Sequence, residues 1–213
     1  MDYPILYSFV RCPYAMRARM ALKLTEIKCE IREVRLNNKP KHMIDMSPKG
    51  TVPVLVLENN IIDESNEIID WALSFNNVFD GNLDEDQKDL TSRLIKLFDS
   101  KFKYNLDRYK YATRYENIDA EKHKMECLKI LINLEDLISK DEWFLGKSIN
   151  KLDISILPFI RQFRIADTDW FDKQNQITGI QQILDNFLNS KLYKDIMFKY
   201  DVWTENDIPQ FFP

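Results

Sequence analysis

The chain has 213 residues, long enough for one large domain or two small ones with a substantial core. Hydrophobic residues make up 45%, charged residues 30%, and there are only 4 Gly, a balance that favours helices over a turn-rich all-β fold. The net charge of −4, with Lys and Arg interspersed among Asp and Glu, argues against nucleic acid as the principal partner. No apolar run approaches the roughly 20 residues of a membrane span.

The start, Met1-Asp2-Tyr3-Pro4, carries no secretory pattern, so a cytoplasmic protein is expected. Ile5-Leu6-Tyr7-Ser8-Phe9 reads as a short buried strand and Pro13 to Leu24 as a helix. Lys28 to Leu36 alternates in its middle, with Cys29, Ile31 and Glu33 on one face, which predicts a second strand. A short helix is expected near His42 to Met46. Val54 to Leu57 and Ile61-Ile62 flank Glu58-Asn59-Asn60, an antiparallel pair around a tight turn. Ser65 to Phe75 is again helical.

The order is therefore βαβ, a short helix, then ββα, assigned to residues 1–76. Residues 77–83 are rich in turn formers and read as a linker. Residues 84–213 are expected to be an all-helical bundle. Leu90, Leu94, Leu97, Phe98 and Phe102 recur at helical steps, as do Met125, Leu128, Leu131, Ile132, Leu134 and Ile138. At Ser148 to Ile154, Asn150 is placed as a helix cap and Asp153 closes a capping box, with Ile149 and Ile154 as a hydrophobic staple.

Three cysteines, Cys12, Cys29 and Cys127, form an odd and sparse set, read as reduced thiols. Cys29 and Cys127 sit in apolar company and are expected in the core. His42 and His123 are far apart and near no CxxC pair, so no metal site is expected. Cys12 is different. Pro13 suits the first helical position, which makes Cys12 the N-cap, beside unpaired backbone N–H groups and the positive end of the helix. Such a setting favours thiolate and can lower a thiol pKa from about 8.5 toward roughly 3.5–7.5. Arg11 and Arg17 add positive charge nearby. The alternative is an inert buried thiol. Ala15 stands where a dithiol site would keep its resolving cysteine, so an external thiol would have to resolve a mixed disulfide.

Pro53 opens a strand, where a cis Val52–Pro53 bond would leave the Val52 backbone to pair with a peptide-like ligand. A trans proline at a strand edge is the alternative. Glu64-Ser65 starts a helix, able either to hold a carboxylate and an ammonium or simply to cap it.

Four segments in order resemble the cytosolic glutathione transferase superfamily, in its cysteine-type, omega-like and bacterial branch. They are Leu6 to Phe9 leading to Cys12-Pro13-Tyr14-Ala15; Asn38-Lys39-Pro40; Ser47 to Leu55; and Glu64 to Ile69. The box ending at Asp153 is similar to one in the family's helical region, with Asn150 in the cap position, and Leu184 to Trp203 is similar more loosely. The resemblance implies a thioredoxin-like α/β domain followed by a helical domain, assembled as a homodimer. It implies glutathione as cosubstrate, with Cys12 as nucleophile and Pro13 and Tyr14 beside it. Val52 and Pro53 would hold the cysteinyl part. Glu64 and Ser65 would take the γ-glutamyl end, and Lys39 the glycyl carboxylate, with Lys49 as second candidate. Tyr7 and Ser8, near where other branches activate glutathione, read as structural. A glutathione-dependent thioltransferase is the expectation, with a conjugating transferase or a non-enzymatic binding protein on the same fold as alternatives.

Overall fold

The computed structural model describes residues 3–79, 83–139 and 141–213. By backbone contacts the chain forms two compact units, Met1–Val78 together with Ser190–Pro213, and Phe79–Asn189. The break at Val78 falls within the stretch 77–83, of which residues 80–82 lie outside the described residues, as do Met1 and Asp2.

The first unit is built on a mixed sheet in the order β4-β3-β1-β2-β5. Strand β1 (Ile5–Ser8) is central and fully buried, as its unbroken apolar run dictates. It pairs parallel with β2 (Cys29–Glu33) and antiparallel with β3 (Val54–Val56), which turns back into β4 (Ile61–Ile62). Leu57 N–H donates to the Asn60 carbonyl at 2.8 Å, closing the turn around Glu58 and Asn59. Helix α1 (Pro13–Leu24) follows β1, α2 (Lys41–Met46) precedes β3, and α3 (Ser65–Phe75) follows β4. This is the βαβ-α-ββα order of a thioredoxin-like domain. In β2 the alternation holds, with Cys29, Ile31 and Glu33 buried. The strand ends at Glu33, before a turn in which Asn38 N–H donates to the Arg35 carbonyl at 3.1 Å.

The helical region expected over 84–213 is shorter than drawn. After the helix α10 (Lys191–Ile196), the chain returns to the sheet, and β5 (Gln210–Phe212) pairs antiparallel with β2. Trp203 N–H donates to the Glu33 carbonyl at 2.9 Å, and Phe212 is buried. The pairing covers backbone groups that β2 would otherwise present as a bare edge. Three residues closed by a proline are too short for alternation to reveal them, and their partner lies far away in sequence.

The second unit begins with α4 (Glu85–Leu97), whose first turn is held by a reciprocal capping box between Asp84 and Gln87. It runs through a π-helical segment, Phe98–Phe102, into α5 (Lys103–Lys110). Phe98 and Phe102 are both buried, their rings stacked 4.4 Å apart. In α6 (Ala120–Glu135) Cys127, Leu128, Leu131 and Leu134 face inward, but Met125 is exposed. Helix α7 (Lys151–Arg164) is almost wholly buried and starts at the expected Asn150–Asp153 box. Helices α8 (Thr168–Phe171) and α9 (Thr178–Asn189) complete the unit. The Glu135 carboxylate caps α9, accepting from Gly179 N–H at 2.6 Å and Ile180 N–H at 2.9 Å. Among the described residues no helix is long and apolar enough to cross a membrane.

Candidate active site at the start of the first helix

Cys12 is the N-cap of α1, in extended conformation (φ −74°, ψ 125°), with Pro13 at the first helical position. Its backbone is fixed from both sides. Its N–H donates to the Phe9 carbonyl at 2.9 Å, and its carbonyl accepts from Met16 at 2.9 Å. The side chain makes no capping bond. Instead the half-buried Sγ donates to the Val52 carbonyl at 3.6 Å. The sulfur packs against a core cluster that includes Ala15, Val52 and Val54. Ala15 lies inside this cluster, one helical turn beyond the thiol.

The Val52–Pro53 peptide is cis. The preceding turn is set by Gly50, whose φ of +63° lies in the left-handed region that glycine tolerates. Gly50 N–H closes it on the Ser47 carbonyl at 2.9 Å. Ser47 Oγ donates to Asp63 at 2.6 Å, tying this turn to the start of α3. Lys49, at the turn's tip, ion-pairs with Glu64 and sits 4.0 Å from Asp63.

Glu64 is the N-cap of α3 and Ser65 its first residue. Ser65 is buried, and its Oγ accepts from Arg17 Nη1 at 3.4 Å. Arg17 is itself fully buried, with its guanidinium 5.4 Å from the centre of the Tyr14 ring. Tyr14 and Pro13, both half-buried, thus flank the thiol, while Arg17 links α1 to the head of α3. The structure brings Cys12, Val52 and Pro53 together at one place, and Lys49 onto Glu64 beside Ser65. Lys39 is half-buried in the connection from β2 to α2, a different loop from the one that carries Lys49.

Tyr7 and Ser8 are engaged elsewhere. Arg32 Nη1 donates to the Tyr7 oxygen at 2.7 Å, and the hydroxyl lies 2.5 Å from His42 Nδ1. Burial holds the Tyr7 phenol above its ordinary range. Trp203 covers Arg32, ring centre to guanidinium 4.2 Å. Ser8 Oγ accepts from the buried Arg19. Cys29 and Cys127 are buried as expected. Burial pushes the Cys29 thiol up to about 12 and the Cys127 thiol well above its usual range. Neither is available as a thiolate.

Arg19 and Glu33 escaped the sequence reading. Arg19 is 1% exposed and donates to the Val10 carbonyl at 2.7 Å. Glu33 is 7% exposed and accepts from Val10 N–H at 2.8 Å. The available signal was a charge on each buried stripe, Arg in an otherwise apolar helix face and Glu in line with Cys29 and Ile31. Among the described residues no cluster of His, Cys, Asp and Glu could hold a metal ion.

A thioredoxin-like sheet domain and a helical unit make up the fold seen in glutathione transferases. Residues 6–76 match the family model described as glutathione S-transferase, N-terminal domain. The rat glutathione S-transferase omega-1 is 28% identical over 209 residues, covering 92% of this chain and 85% of that protein. The tau-class glutathione S-transferase of mango superposes with a TM-score of 0.79 at 21% identity, over 93% of this chain and 94% of the other. A glutathione transferase family member from Pseudomonas fluorescens, solved with two glutathione bound, superposes with a TM-score of 0.78 at 16% identity over 92% of both chains. The chain is thus similar to glutathione transferases over most of its length, and its residues 6–76 match their N-terminal domain.

Proposed function

We propose that this protein is a glutathione-dependent thioltransferase in which Cys12 is the nucleophile. The observation that carries this reading is the Cys12 sulfur itself, half-exposed at the head of α1 and without a capping duty, 3.6 Å from the Val52 carbonyl. The positive end of the helix favours an anionic sulfur there.

Glutathione would lie along the segment ahead of β3. Its cysteinyl backbone would pair with Val52, which brings its sulfur to Cys12. Its γ-glutamyl carboxylate would meet the N–H groups at the start of α3 and the Ser65 hydroxyl, and its ammonium Glu64. For that ammonium to bind, Lys49 must share or leave Glu64. A displaced Lys49 is free to meet the peptide's carboxylate, and Lys39 is the further cation for the glycyl end. Homodimer assembly, implied by the family resemblance, belongs to the same proposal.

The thiolate attacks the glutathione sulfur of a mixed disulfide, R–S–SG. A Cys12–SG bond forms, the S–S bond of R–S–SG breaks, and RS⁻ leaves and takes a proton. A second glutathione thiolate then attacks the glutathionyl sulfur on Cys12. Oxidised glutathione departs and the Cys12 thiolate is restored. With Ala15 in the position of a resolving cysteine, the second thiol comes from solution.

Release of oxidised glutathione from a glutathionylated small thiol tests the activity. The wild-type chain should turn over and Cys12→Ser should fall to the uncatalysed rate. Equal turnover by both would refute the assignment.

A further inference from the structure

We propose that Arg19 and Glu33 are positioning residues for Cys12, two buried opposite charges that grip Val10 by both its backbone polar groups and set the charge around the sulfur. The inference rests on Cys12 being the working thiol.

The grip is built from two elements that are distant in sequence. Arg19, on α1, donates through one arm of its guanidinium to the Val10 carbonyl at 2.7 Å and through the other to Ser8 Oγ. Glu33, the last residue of β2, accepts from Val10 N–H at 2.8 Å. Both side chains are withdrawn from water. A helix side chain and a strand side chain thus hold the residue two before the thiol. Phe9, one residue earlier, accepts the Cys12 N–H. The whole turn from strand to helix is pinned, and with it the direction of Sγ.

Burying two charges is costly, and a loop carbonyl and N–H are ordinarily satisfied by water or by neutral partners. An Arg and a Glu here have an effect that neutral groups would lack, because their fields persist at short range in a poorly screened interior. Arg19 interacts electrostatically with both Glu33 and Cys12, and although burial lowers its pKa to about 10 it stays cationic at neutral pH. Other charged or titratable groups around this corner, among the described residues, include Arg11, which is exposed, Arg17, turned to Ser65, and Tyr200 of the returning C-terminal segment. Glu33 feels Arg19 and Arg11. Arg19 favours the thiolate and Glu33 offsets part of the Arg19 charge, so the pair sets a level of thiol acidity as well as a direction.

The C-terminal segment joins this device. Trp203 N–H donates to the Glu33 carbonyl, so the returning chain fixes the backbone from which the Glu33 carboxylate reaches Val10.

The test is the pH dependence of Cys12 alkylation by iodoacetamide in the full chain, read by peptide mass. Glu33→Gln keeps an oxygen for Val10 N–H but removes the anion, and should lower the midpoint by about half a unit to one unit. Arg19→Met removes the cation and should raise it by about one unit, while Arg19→Lys keeps the cation and should stay near wild type. Opposite shifts are not what a purely structural role produces. Should Arg19→Met fail to fold, Glu33→Gln and Arg19→Lys decide the matter. A Glu33→Gln midpoint that is unchanged or raised overturns the proposal. A low wild-type midpoint that no variant moves defeats only the Arg19–Glu33 device. A wild-type midpoint at that of free cysteine, with no glutathione adduct, defeats the thioltransferase reading instead.

Discussion

Lys49 and Glu64 form an ion pair that joins the turn ahead of β3 to the cap of α3. Both side chains are well exposed, so the pair contributes little to folding, within about 1 kcal/mol. Its bearing is on the ligand: Glu64 is the acceptor proposed for an incoming ammonium, and Lys49 is the cation displaced from it. Lys49→Ala should leave the melting temperature within about 2 °C of wild type. Because the displaced Lys49 would go on to meet a carboxylate of the peptide, glutathione affinity by calorimetry should fall about tenfold. Unaltered affinity would remove Lys49 from the binding site.

Tyr7 supplies a contrast. Its hydroxyl joins Arg32 of β2 to His42 of α2. Tyr7→Phe leaves Arg32 without that acceptor, and should destabilise the chain by about 1–2 kcal/mol in denaturant unfolding. The rate of Cys12 alkylation at fixed pH should not change. A large fall in that rate would show that Tyr7 takes part in the chemistry.

Asp153 carries a pH dependence of known sign. It accepts from Phe144 N–H at 2.9 Å and Asn150 N–H at 2.8 Å, but burial pushes its carboxyl up to about 7. In the unfolded chain an Asp titrates near about 3.9. Between these values the folded protein holds a proton that the unfolded chain has released. The stability gained from this proton is full below the lower value. It is lost as pH rises through the upper one, at up to about 1.4 kcal/mol per pH unit. Asp153→Asn cannot titrate. The stability difference between wild type and variant should therefore move in the variant's favour from about pH 4 to about pH 7. A difference independent of pH would contradict the buried, proton-holding carboxyl.

Phe212 tests the returning C-terminus. It belongs to a three-residue strand yet is 1% exposed. Phe212→Ala should cost about 3–5 kcal/mol, measured by guanidinium unfolding. A cost below about 1 kcal/mol would mean that β5 is a loosely held end.

Much of this architecture was legible in short-range patterns. Ile5 to Ser8 is an apolar run closed by a turn, Cys12-Pro13 reads as a cap and a first helical residue, and Asn150 with Asp153 spells out a capping box three residues apart. Each involves neighbours in sequence, where spacing alone carries the physics. What escaped depends on distant partners. The pairing of β5 with β2 joins Cys29–Ile31 to Gln210–Phe212, far apart in sequence. Arg19 and Glu33 looked like ordinary charges until the fold brought both to Val10. Lys49 ranked behind Lys39 on paper, and the left-handed turn at Gly50 delivers Lys49 to Glu64. The π-helical segment Phe98–Phe102 was not legible either, since its two phenylalanines four apart read as an ordinary α-helical face.

The central claim is that the Cys12 sulfur exchanges with glutathione. Intact mass after incubation with oxidised glutathione, for wild type and Cys12→Ser, tests it most directly. The account predicts one glutathionyl adduct on the wild-type chain, reversed by reduced glutathione, and none on Cys12→Ser. An unmodified wild type, or an adduct of equal yield on the variant, would contradict it.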